Sequence, residues 1–166
     1  MNKIKFENYP NFKPNYSPVE MAKLGVFGGS YFSRHHYSES YDYNQIKKLV
    51  LNINKSTNKN FNQMLSKRIY EEKLNYFKVK CGSSLEDWQN RGWLFEEDKY
   101  GWYEWFIKFY YGRRIPKIDN IQIKRWLSFK SRHGGMLKTH CKPSEIKKSL
   151  KTRQNLLHWA IDSTKI

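Results

Sequence analysis

Residues 100–112 read YGWYEWFIKFYYG, and this stretch constrains the fold more than any other. At helical spacing Trp102, Trp105, Phe106, Phe109 and Tyr110 form one stripe, and the remaining rings fill other sides of the same turn. A helix apolar around most of its circumference has to be buried, so the rest of the chain must wrap it. The sharper alternative is that Trp102, Tyr103 or Tyr111 lines a pocket and stacks on a base.

The 166 residues suit one domain with a sizeable core. Aromatics are 17% of the chain, which argues against disorder despite a formal net charge of +16. Lys, Asn, Ile and Tyr are all abundant, the bias of an AT-rich coding sequence, which can supply part of the lysine excess without function. No stretch approaches the roughly 20 apolar residues of a membrane span. The first ten residues lack the apolar run of a signal peptide. The two cysteines, Cys81 and Cys141, are expected as reduced thiols. An intracellular protein, cytoplasmic or nuclear and with no membrane partner, is the expectation.

The pattern predicts a mainly α protein, a single compact domain of about six or seven helices. Residues 1–16 form an extended aromatic arm that pins Phe6, Tyr9, Phe12 and Tyr16 onto the body, and residues 17–166 form the basic helical domain. Ser17, Pro18 and Glu20 give a capping box with proline at the first helical position, and Gly25 stops that helix. Helices are expected at 41–51 and 57–76. Ser83 with Glu86 gives a second capping box, and Gly92 closes that helix. Asp98 caps the aromatic helix, which Gly112 ends. Residues 118–130 form another helix, ended near Gly134 and Gly135. A last helix starts near Pro143, with Ile146, Leu150, Leu157, Ala160 and Ile161 on its apolar face.

Positive charge is unevenly distributed. Residues 1–112 hold 17 basic and 12 acidic side chains, whereas residues 113–166 hold 14 basic and only 3 acidic. Such an excess suits a polyanion, above all the phosphate backbone of DNA or RNA. Arg113, Arg114, Lys124, Arg125 and Trp126, with Lys147, Lys148 and Lys151 on one face of the last helix, are the candidate nucleic-acid contacts. Arg113 and Arg114 either oppose the negative end of the aromatic helix or clamp a phosphate. The bland reading of the charge is a solvated, lysine-rich surface.

Candidates for chemistry are fewer. Trp88, Trp102, Trp105, Tyr111 and Cys81 are the pocket candidates for an alternative reading, a small enzyme acting on a base or another anionic substrate. That reading is glycosylase-like only by analogy. Glu104 is an acid–base candidate if buried, but an exposed Glu104 paired with Lys108 is the preferred expectation. The glycines at 28 and 29 lack the lysine of a phosphate-binding loop and the spacing of a dinucleotide fingerprint, so a tight turn is expected and no cofactor. Cys81, His133, His140 and Cys141 lack metal-ligand spacing, and no metal is expected. Cys81 with a histidine is a weak nucleophile candidate.

Four blocks resemble a family of uncharacterised proteins found in plants, algae, fungi, bacteria and large DNA viruses. They are LGVFGGSYF at 24–32, KVKCGSSLEDW at 78–88, YGWYEWFIKFYYGRR at 100–114 and IKRW at 123–126. The family carries no established activity, so the resemblance implies no catalytic residue. It implies Gln where Glu104 stands, and it gives weight to Cys81, Trp88, Trp102, Arg113, Arg114 and Trp126. The lysine-rich chain after residue 130 lies outside the blocks.

Overall fold

The computed structural model describes residues 4–33, 65–142 and 144–166. Among these residues it is helical. Five α-helices run α1 (Pro18–Lys23), α2 (Leu85–Asn90), α3 (Trp102–Tyr110), α4 (Pro116–His140) and α5 (Leu150–His158), with single 3-10 turns at Glu72–Leu74 and Ser163–Lys165. The described residues contain no strand, only an isolated bridge between Phe95 and Asp98. The expected helix at 41–51 lies outside the described residues, as does most of that at 57–76. From Leu65 to Tyr76, where the rest of that helix is expected, the chain is irregular, with bends and one 3-10 turn.

Helix α1 begins as its sequence dictates. Ser17 Oγ accepts from Glu20 N, and Glu20 accepts from Ser17 N at 2.7 Å. It ends in a Schellman turn, with Gly25 N donating to Ala22 O at 2.9 Å and Val26 N to Met21 O at 3.3 Å. Gly25 has φ +61°, and a Cβ there would sit 2.0 Å from the Leu74 carbonyl oxygen, so only glycine fits. The 70–75 segment therefore docks directly on the turn that follows α1, with Glu71 N donating to Gly28 O at 2.9 Å.

Helix α3 is the centre. Trp102, Tyr103, Glu104, Trp105, Phe106, Ile107 and Phe109 are all buried, and each large apolar side chain removed from water is worth roughly 1.5–3 kcal/mol. Helix α1 packs on one side and α4 on another, and α5 lies against α4. Residues 4–16 form no helix or strand. Their rings close the remaining side: Phe12 is buried against Trp105 and Trp126, and Phe6 meets Phe109 edge-on at 4.9 Å.

Three boundaries differ from expectation, each for a physical reason. Asp98 does not cap α3, because its carboxylate is bonded to Arg113. Gly101 takes the N-cap position, and the Tyr31 hydroxyl accepts from Tyr103 N while donating to Tyr100 O. The α2 capping box is Ser84 with Asp87, one residue later than Ser83 with Glu86. Helix α4 continues through Gly134 and Gly135 to His140, ten residues past the expected end. Gly134 is buried, and a Cβ there would lie 3.2 Å from Ile166 Cγ2, a tight approach that the missing side chain relieves.

Helix α5 starts at Leu150, not near Pro143. The preceding segment wraps a guanidinium instead of coiling. Arg153 is fully buried and donates to the carbonyls of Lys142, Glu145, Lys148 and Ser163. Ile146, expected on an apolar face, is therefore half exposed.

Candidate functional site

The sequence candidates separate into two groups, those the fold consumes and those it leaves on the surface. Trp126 belongs to the first. It is buried, and its Nε1 donates to Trp159 O at 2.7 Å, so it is core and not a nucleic-acid contact. Trp102 and Trp105, nominated as a pocket floor, are also packed. Trp102 lies among Trp159, Phe106 and Phe12, and Trp105 Nε1 donates to buried Asp119 at 2.8 Å. Asp119 Oδ2 also accepts from Ile115 N at 2.8 Å, so one carboxylate joins α3 to the start of α4. Among the described residues these rings are packed against one another.

Arg113 is likewise committed. Its two terminal nitrogens reach the two oxygens of Asp98 at 2.7 and 2.6 Å, and Asp98 is completely buried. Lys108 lies 3.2 Å from Asp98 and 2.6 Å from Glu104. Glu104 does pair with Lys108, but it is buried and not on an exposed face, and it also accepts from Tyr100 N at 2.8 Å. Two buried carboxylates thus meet two cations in a balanced network that locks the start of α3 to the chain beyond its end. Arg114 takes the helix-end role, donating to Phe109 O at 2.6 Å with its guanidinium 4.0 Å from the Phe109 ring.

Cys81 is a free, partly buried thiol, and burial pushes its pKa up to about 12, against a smaller opposing pull from Lys151. A Cβ on the next residue, Gly82, would lie 3.3 Å from the His158 ring. Burial holds the His158 imidazole down to about 4, opposed by a hydrogen bond with the Val26 backbone. A thiol held neutral by burial, with no base shown against it among the described residues, is not an activated nucleophile. The buried imidazole of His158 has a consequence for stability, however. The unfolded chain takes up this proton near 6.5, while the folded chain resists it until about pH 4. Stability should therefore fall as pH drops through that window, by at most about 1.4 kcal/mol per unit. His158→Gln should flatten that part of a urea-denaturation profile against pH.

Among the described residues no group of three or more His, Cys, Asp or Glu side chains converges as a metal site would require. His133 instead stacks on Phe129, ring centroids 3.8 Å apart. Among the same residues no helix is long and apolar enough to cross a membrane.

Among the described residues, nine exposed basic side chains lie on α4 and the segment after it and ten lie elsewhere, so the charge is densest, though not confined, along α4. Lys117, Lys124, Lys130, Arg132 and Lys138 are all exposed, whereas the one carboxylate of α4, Asp119, is buried. Lys117, Lys124 and Lys138 are seven and fourteen residues apart, so they share one outward face that turns by about 60° along the helix, with Ser131 between. Their backbone positions span about 32 Å. Lys142, Lys147, Lys148 and Lys151 are exposed beyond it, but Lys147 and Lys148 precede α5 and so share no helical face with Lys151. Lys148 is paired with Glu145 at 2.7 Å. Arg125 is half-buried, its guanidinium 2.8 Å from Trp93 O and 5.3 Å from the Phe95 ring. Tyr111 is exposed and Trp88 partly so.

The sequence missed the extent of this face because it ended α4 at the glycine pair. Reading Gly134 and Gly135 as helical would have aligned Lys138 with Lys117 and Lys124.

No protein-family model, curated protein or solved structure matches the chain.

Proposed function

We propose that this protein binds nucleic acid through the outward face of α4, its lysines neutralising phosphates along one continuous edge. The observation that carries the reading is a 25-residue helix with five exposed basic side chains and its only acid buried. Such an edge repels itself in isolation, and a phosphate backbone relieves that repulsion while releasing counterions. Lys142, Lys147 and Lys151 extend the same charge past the helix end. Arg113 and Arg114 serve the fold, and Arg125 supports the edge from its flank. Nothing in the packing of Trp102 and Trp105 favours a base-directed enzyme.

The test is fluorescence anisotropy with labelled DNA and RNA across a salt series. About five phosphate contacts predict affinity falling roughly 500-fold for a duplex and roughly a hundredfold for a single strand between about 50 and 200 mM salt. Absence of binding to both DNA and RNA at low salt would overturn the proposal.

A further inference from the structure

We infer that Trp93 is a stacking platform for single-stranded nucleic acid, set beside the lysine edge of α4. The inference rests on the phosphate-binding reading above and adds the class of strand. Trp93 leaves 37% of its surface exposed, yet it is held firmly in place. Trp88 meets its ring edge-on at 5.4 Å, and Trp88 itself packs on Trp159, which stacks on Phe129 of α4. From the other direction Arg125 of α4 donates to the Trp93 carbonyl at 2.8 Å. An indole packed on a chain of rings, with its main-chain carbonyl tied by a guanidinium, loses little freedom when a ligand lands on it.

Its surroundings state the charge of that ligand. The Arg91 guanidinium lies over the Trp93 ring at 5.0 Å. Arg91 and Lys124 are exposed, and Lys124 adjoins Arg125 on the outward face of α4. A part-exposed indole with one guanidinium already over its ring suits an unpaired base that joins or replaces Arg91 on that ring, leaving Arg91 to meet the phosphate. A duplex matches it poorly, because its base faces are covered.

The experiment compares Trp93→Ala and Trp93→Phe with the unaltered protein, on oligo(dT), oligo(U) and a random-sequence duplex of equal length. Trp93→Ala should weaken both single strands about tenfold or more. It should leave duplex affinity and the salt slope unchanged, and Trp93→Phe should recover most of the loss. Duplex affinity serves as the check that the variants are folded. If Trp93→Ala leaves single strands unaffected, or weakens duplex equally, the platform is wrong while the lysine edge stands. If the unaltered protein binds none of the three, the platform and the edge both fall.

Discussion

Asp98→Asn lowers the stability of the fold by about 3–5 kcal/mol in chemical denaturation. Asp98 is completely buried and accepts both Arg113 nitrogens, with Lys108 3.2 Å away. Neutralising it leaves two cations facing a single buried carboxylate, Glu104, which is already bonded to Lys108 and to Tyr100 N. Arg113→Met should cost less, since Lys108 still answers Asp98. The double variant should lie well short of the sum of the two, because the pair acts as one unit. A loss under about 1 kcal/mol for Asp98→Asn would show that the network is solvated and not structural. It would also return Arg113 to the set of residues available for phosphate.

Arg153→Met is the second large effect, at about 3 kcal/mol or more. The guanidinium is buried and bonded to carbonyls of Lys142, Glu145, Lys148 and Ser163, as well as to Ser163 Oγ at 3.0 Å. Methionine fills much of the volume but donates nothing, so several buried acceptors lose a charged partner at once. The loss should also be local. Amide exchange should accelerate across residues 144–149 and at Ser163 while α3 stays protected. Uniform acceleration over α3 and α4 would mean that Arg153 supports the whole core and not this one wrap. Loosening the wrap should weaken nucleic-acid affinity only modestly, since Lys142 and Lys147 lie beyond the main edge.

How much of this is legible in the chain depends on how far apart the partners are. The α1 cap is fully local, Ser17 to Glu20, and was readable. The burial of α3 was equally plain, because eight rings in thirteen residues leave no polar side. The second cap shows the limit of local reading. Ser83 and Ser84 each have an acid three residues on, and nothing in the motif chooses between them. Asp98 and Arg113 are fifteen residues apart and Arg153 spans up to eleven, so both look like ordinary surface charges until the chain is folded. For Arg113 and Arg114 the sequence leaves a helix-end role and a phosphate role both open, and only the fold gives Arg113 to the buried Asp98 and Arg114 to the helix end. The lysine face on α4 was hidden for a different reason. Glycine is unfavourable in a helix by roughly 1 kcal/mol relative to alanine, and the tight approach of Ile166 to Gly134 is visible only once the chain is folded.

The most direct measurement is the salt slope of single-strand binding for two triple variants. One removes the edge, Lys117→Ala with Lys124→Ala and Lys138→Ala. The other removes three exposed lysines elsewhere, Lys5→Ala with Lys13→Ala and Lys23→Ala. Both lower the net charge equally. The edge variant should flatten the slope by about two units, and the control should leave it nearly unchanged. Equal losses from the two would contradict an edge on α4 and reduce the binding to bulk charge.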